Sequence, residues 1–151
     1  MKKALFYKYD CLLLFKYLAM NTAITDGVKI SVDTYFREDL SDVQDNVYLF
    51  NYRIEIENRN PFPIQLTRRH WRIMDSLDQT RFVNGEGVIG EKPVLQPGEV
   101  FAYRSACDLS SELGYMVGFY QFHQLTDQGK AVKSFSVRVP RFFLQCPFKL
   151  N

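Results

Sequence analysis

From position 48 to position 57 the chain repeats with a period of two. Tyr48, Phe50, Tyr52, Ile54 and Ile56 occupy one set of alternate positions; Leu49, Asn51, Arg53, Glu55 and Glu57 occupy the other. Successive side chains of an extended strand point to opposite faces, so this spacing predicts a strand with an apolar inner face. In its later half the outer face is wholly polar, as in an antiparallel sheet packed on one side only. Asn58-Arg59-Asn60-Pro61 ends the run, because proline lacks the N–H that a ladder needs.

The same period recurs along the chain. Val28, Ile30 and Val32 alternate with Lys29, Ser31 and Asp33 in a strand ending near Phe36, and the polar run 37–46 reads as a loop. Residues 64–74 predict a third strand, with Arg68, His70 and Arg72 on one face and Arg69, Trp71 and Ile73 on the other. Residues 75–80 read as a turn and 81–83 as a short strand. Residues 100–107 alternate again. The aromatic strand 115–122 is interrupted by Gly118, a signal for a bulge or a close backbone approach. Asp127-Gln128-Gly129-Lys130 has hairpin composition. Phe135, Val137 and Val139 mark the last long strand, which Pro140 is expected to end ahead of a short tail at 142–144. Seven or eight strands, with no helical period after Met20, predict an all-β fold. The expected architecture is an antiparallel β-sandwich of immunoglobulin or fibronectin-III type.

Composition agrees. Aromatic residues are 15% of the sequence, which suits pleated, half-buried surfaces. With 24% charged residues over 151 positions, the chain reads as one globular domain rather than a disordered or membrane-embedded one. The formal net charge of +2 is unevenly spread: Lys2, Lys3, Lys8 and Lys16 against Asp10 place +3 in the first nineteen residues, leaving −1 for the body. A nearly neutral body argues against non-specific nucleic-acid binding, which needs a basic face to displace counterions. Cys11, Cys107 and Cys146 are odd in number and widely spaced. They read as reduced thiols of a cytoplasmic protein, not as a disulfide framework or a zinc site.

In residues 1–20 the longest uncharged apolar run is 11–15, bracketed by Asp10 and Lys16 and far short of a membrane span. Leu5, Phe6, Tyr9, Leu12 and Leu13 have helical spacing, compatible with a short amphipathic helix or a membrane-surface segment. Strand periodicity begins only after Met20. Residues 1–19 are therefore expected to be an N-terminal extension that the fold does not use, with 20–151 as the domain.

Residues 81–98 hold four of the eight glycines and two of the six prolines. Gly85-Glu86-Gly87-Val88-Ile89-Gly90 spells G-x-G-x-x-G, but that fingerprint works only between a strand and a helix whose N-terminus receives a pyrophosphate. Pro93 and Pro97 deny the chain a helix here, so a glycine-rich excursion between strands is expected. His70 and His123 are the only histidines, and no metal-ligand or nucleophile spacing accompanies them. Cys107 reads as packing. The sharper constellation is a cationic strip of Arg68, His70 and Arg72 beside free N–H groups around Gly85, Gly87 and Gly90, which would suit an anion. Its bland counterpart is a solvated strand face paired with Glu86, Glu91 or Glu99.

Several stretches together resemble the ApaG family, the DUF525 domain, from about Gly27 to Asn151. They are 52–58 (YRIEIEN), 69–73 (RHWRI), 85–95 (GEGVIGEKPVL) and Pro97-Gly98-Glu99, followed by Tyr103, Ser105, Gly114, Met116, Gly118, Tyr120, Val139, Pro140 and Phe142. Ala106 departs from the family, which often has glycine after the serine. The resemblance implies a fibronectin-III-like sandwich and an association with cobalt resistance and magnesium efflux. Related domains serve eukaryotic F-box proteins and a polymerase-delta-interacting protein as interaction modules. The expected function is a non-catalytic protein-interaction module without a cofactor, binding an unknown protein partner and only indirectly linked to Co2+ and Mg2+ homeostasis. The alternative is a module binding a pyrophosphate or nucleotide between the glycine loop and the Arg68, His70 and Arg72 strip. Neither nucleic-acid binding nor a transmembrane segment is expected.

Overall fold

The structure, a computed structural model, describes residues 21–77 and 80–147. The expected extension at 1–19 lies outside the described residues. Nine strands follow one another: β1 Asn21–Thr25, β2 Val28–Phe36, β3 Tyr48–Asn58, β4 Ile64–Asp75, β5 Arg81–Glu86, β6 Val94–Leu95, β7 Val100–Leu109, β8 Leu113–Leu125 and β9 Ala131–Gln145. A single 3₁₀ turn, Glu38–Leu40, is the only helical element among the described residues. The strands form two sheets, β1-β2-β3-β7 and β5-β4-β8-β9, with β6 added to β4. All pairs are antiparallel. The predicted antiparallel sandwich is the fold observed.

The alternation of β3 is realised residue for residue. Tyr48, Phe50, Tyr52, Ile54 and Ile56 are buried, and the residues between them are half-exposed. Facing them from the second sheet are Trp71, Ile73, Met116, Tyr120, Phe122, Val137, Val139 and Phe142. Burying such side chains contributes about 1.5–3 kcal/mol each. Trp71 stands edge-on to Tyr52, Tyr120 and Phe142 at 5.8–6.1 Å, so one indole ties β3 to three strands of the opposite sheet. The Tyr103 and Tyr120 hydroxyls meet at 2.5 Å in the core, so each buried phenol has a partner. Burial pushes both phenols above their usual pKa.

Four features depart from the sequence reading. β1 was not foreseen; it pairs with β2 across Asp26-Gly27, whose φ values of 47° and 72° make the two-residue hairpin that this dipeptide favours. β5 runs on to Glu86, so Gly85 belongs to a strand and not to a loop. Pro140 does not end the last strand. β9 passes through it by a register shift opposite Met116 to Gly118, the kind of irregularity where a sheet accepts proline. Gly118 itself lies against the neighbouring strand: a Cβ there would meet the His70 carbonyl oxygen at 2.0 Å and Trp71 Cε3 at 2.8 Å.

The fourth departure is a bulge in β4. Leu66 pairs with Phe122 but Arg68 pairs with Gln121, so Thr67 is an extra residue. Ahead of it the even positions Ile64 and Leu66 are buried; beyond it the odd positions Trp71, Ile73 and Asp75 are buried. One inserted residue thus exchanges the faces of the strand.

At its far end β4 closes on Asp75. Its carboxylate accepts the Ser110 N–H at 2.5 Å, the Leu77 N–H at 3.2 Å and the Ser111 hydroxyl. Burial opposes ionisation, but the bonds from Ser111, Ser110 and Leu77, with the Arg81 charge, outweigh it and hold the carboxyl below its usual range. A group whose folded pKa is depressed stabilises the fold above its unfolded pKa, about 3.9, and loses that contribution as pH falls through the folded value. Asp75→Asn is therefore expected to lower stability by roughly 1–3 kcal/mol at pH 7. Urea unfolding should show the gap to wild type narrowing below about pH 4; a gap unchanged by pH would count against this role.

Candidate functional site

The bulge decides which β4 side chains meet solvent. Beyond Thr67 the even positions face outward, so Arg68 and Arg72 are exposed and His70 is half-exposed on the outer face of β5-β4-β8-β9. The three predicted strip residues do share a face. Across the sheet they sit in rows set by register. Phe82, Arg72 and Val117 form one row, Asn84, His70, Phe119 and Arg138 the next, and Glu86, Arg68, Gln121 and Ser136 the third.

The strip is not a bare set of charges. The His70 ring stacks on Phe119 with centroids 4.4 Å apart and planes 18° apart, and its Nδ1 lies 2.9 Å from Asn84 Oδ1. Arg72 reaches the Tyr115 hydroxyl at 3.5 Å, and the Arg141 guanidinium lies 5.1 Å from the Tyr115 ring centre. Between Phe82 on β5 and Phe119 on β8 runs an apolar-walled groove of about 420 Å³, also lined by His70, Arg72, Asn84 and Val117. Tyr115 and Phe143 wall a second hollow of about 300 Å³ beyond Arg72. Phe82 is 70% exposed, Phe143 52% and Phe119 40%. Three large rings on one sheet face, unburied among the described residues, are an unusual cost in water.

The glycine stretch does something else. Gly87, at φ 58°, donates its N–H to the carbonyl of the bulge residue Thr67 at 2.8 Å. Val88 and Glu91 bond to each other through N–H groups at 2.8 and 2.9 Å, closing a two-residue turn whose tip, Ile89 and Gly90, has φ values of 45° and 77°. Both central residues at positive φ define the type I′ turn of tight hairpins. Val88 is fully buried beneath it. Arg69, on the face of β4 opposite the strip, reaches towards the edge strand β5 and bonds to the Glu86 and Gly87 carbonyls at 3.0 and 2.9 Å. The amides of residues 87, 88 and 91 are thus already engaged, and the carbonyls of 86 and 87 face a cation. Within the G-x-G-x-x-G itself, Glu86 meets the strip, in register with Arg68. Lys92 holds the Glu86 carboxyl below its usual range, chiefly by a hydrogen bond, with a smaller contribution from Arg68.

Sequence reasoning singled out Arg68, His70 and Arg72 but not Phe82, Asn84, Arg138 or Arg141, which complete the surface. The available signal was an apolar residue at an outer-face position, as Phe82 and Phe119 are. Among the described residues no group of three His, Cys, Asp or Glu is placed to hold a metal ion. Burial pushes the Cys107 thiol up to about 11, the behaviour of a packing cysteine.

Comparison with known proteins adds the following. The ApaG domain (DUF525) model matches residues 38–124. The chain is 40% identical over 128 residues to Protein ApaG of Brucella anthropi, covering 85% of this chain and 95% of that protein. It is 38% identical over 129 residues to Protein ApaG of Beijerinckia indica, with the same coverage. The crystal structure of an ApaA protein from Bordetella pertussis superposes with a TM-score of 0.73 at 34% identity, over 81% of this chain and 95% of that one.

The glycines are expected to separate by role. A Cβ on Gly87 would meet the Glu91 carbonyl oxygen at 2.1 Å, whereas one on Gly90 meets nothing within 4 Å. Gly87→Val should destabilise by at least about 1–3 kcal/mol. Gly90→Asn should be nearly neutral, since asparagine tolerates positive φ. Thermal unfolding of both variants checks this, and equal effects would contradict it.

Proposed function

Starting from the fact that this chain belongs to the ApaG-domain family, we propose that it is a non-catalytic protein-interaction module. Its docking surface is the outer face of β5-β4-β8-β9. The observation that carries the reading is the trio Phe82, Phe119 and Phe143, exposed on one sheet face around two apolar hollows. Aromatic anchors in a hollow with a polar rim are the anatomy of a binding hot spot. Arg68, His70 and Arg72 then belong to the rim. The glycine hairpin supports the sheet by satisfying the Thr67 carbonyl at the bulge.

The association with Co2+ and Mg2+ that the family resemblance implies is, on this reading, indirect and exerted through the partner in the cytoplasm. No helix among the described residues is long and apolar enough to cross a membrane. The reading takes residues 20–151 as the domain, so removing residues 1–19 should move the thermal midpoint by less than about 2 °C.

The alternative, a pyrophosphate or nucleotide module, draws support from Arg68 and Arg72, whose guanidiniums make no ion pair among the described residues. Two measurements separate the readings. In quantitative capture from the native cell, a partner retained by wild type should be lost with Phe82→Ser plus Phe119→Ser, and weakened but kept with Arg68→Ala plus Arg72→Ala. Calorimetry should show no saturable nucleotide or pyrophosphate binding tighter than about 10 µM, or about −7 kcal/mol. Such binding, abolished by the arginine pair, would establish the alternative instead.

A further inference from the structure

The two outer faces of the sandwich differ in charge bookkeeping. On the first sheet Arg53 pairs with Glu55 at 2.5 Å and Lys29 with Glu57 at 3.9 Å, and at its margins Arg37 meets Asp39 at 2.6 Å and Arg59 meets Glu57 at 2.9 Å, which leaves Arg104 as the exposed arginine of that face without an ion pair among the described residues. On the second sheet Arg68, Arg72, Arg138 and Arg141 make no ion pair among the described residues. The carboxylate in register with Arg68, Glu86, is held by Lys92 at 3.1 Å. The guanidiniums surround the apolar hollows. Arg72 lines the first groove and bonds to Tyr115, which walls the second; Arg138 is in register with Phe119, and Arg141 lies over Tyr115.

We infer that the partner of this face is an acidic protein segment carrying two bulky apolar side chains, one for the groove between Phe82 and Phe119 and one for the hollow between Tyr115 and Phe143. The inference rests on the docking reading above and adds the chemistry of what docks. Unpaired guanidiniums around apolar slots are complementary to carboxylates flanking apolar anchors, and such complementarity sets partner choice and approach. Guanidinium is also the cation best suited to carboxylate, through parallel N–H bonds. A single-stranded nucleic acid, the other polyanion, needs open ring faces on which bases stack. Here His70 and Phe119 stack on each other at 4.4 Å, which closes their facing surfaces. Phe82 and Phe143 stay open, but the body of the chain, at −1, lacks the basic excess that a nucleic acid needs, so the peptide is favoured.

The test uses the full chain and fluorescence anisotropy with four labelled probes. They are an acidic dodecapeptide with two tryptophans, the same peptide with both replaced by alanine, a lysine counterpart retaining the tryptophans, and a dodecamer of deoxythymidine. The acidic tryptophan peptide should bind at least about tenfold more tightly than each of the others. Its affinity should fall as salt rises from about 0.05 to 0.5 M. Phe82→Ser should weaken it at least about tenfold, as should Arg72→Glu with Arg138→Glu. Arg104→Glu, an exposed reversal on the first sheet, should leave it unchanged.

Equal binding of the lysine peptide, or tighter binding of the oligonucleotide, overturns the inference. If no probe binds while Phe82→Ser plus Phe119→Ser still loses the native partner, the acidic chemistry falls and the docking reading stands. Peptide binding that survives both Phe82→Ser and the arginine reversals puts the site elsewhere and overturns both.

Discussion

Trp71 is the side chain on which the arrangement of this molecule depends. It meets Tyr52, Tyr120 and Phe142 edge-on, and those rings come from β3 in the facing sheet, from the neighbouring β8 and from β9 beyond it. Its indole is accommodated because the residue across the ladder is Gly118, where any side chain would run into the His70 backbone and the indole itself. Once Trp71 points inward, a strand's alternation sends Arg68, His70 and Arg72 outward. The polar face and the sheet-to-sheet contact are two consequences of one orientation.

That orientation needs the bulge. Ile64 and Leu66 enter the core from even positions, Trp71 and Ile73 from odd ones, and a regular strand cannot bury both pairs. Thr67 resolves the conflict, and its carbonyl is satisfied by the Gly87 N–H while its hydroxyl bonds to the Gln121 carbonyl at 3.1 Å. The glycine-rich hairpin, which as text invites a nucleotide, thereby acquires a plain physical role. Its positive φ values let the backbone turn back far enough to reach the bulge, with Arg69 closing the carbonyl side.

A face built this way is laid out by the register of its strands. Arg68, Arg72 and Phe119 project from the inner strands β4 and β8, and Phe82, Arg138, Arg141 and Phe143 from β5 and β9 on either side, at spacings fixed by the ladder. Its exposed phenylalanines and its arginines without an ion pair among the described residues bring the fold little stability, since a lone surface charge contributes almost nothing and an exposed ring leaves apolar area in water. Such features suit recognition better than architecture.

The sequence alone determined the class of fold, the inner face of β3, the shared face of Arg68, His70 and Arg72, and the special role of Gly118. Each rests on a local rule: period two, the donor missing from proline, the Cβ missing from glycine. The same local rules stopped the last strand at Pro140, which the sheet in fact carries through by a shift of register. Only the tertiary structure decided what surrounds the strip. Nothing local says that Phe82 lies in a row with Arg72, that Arg138 lies beside Phe119, or that the Gly87 amide belongs to Thr67 rather than to a ligand. Those neighbours are set by register between strands distant in sequence, and register is chosen by the packing of the whole core around Trp71.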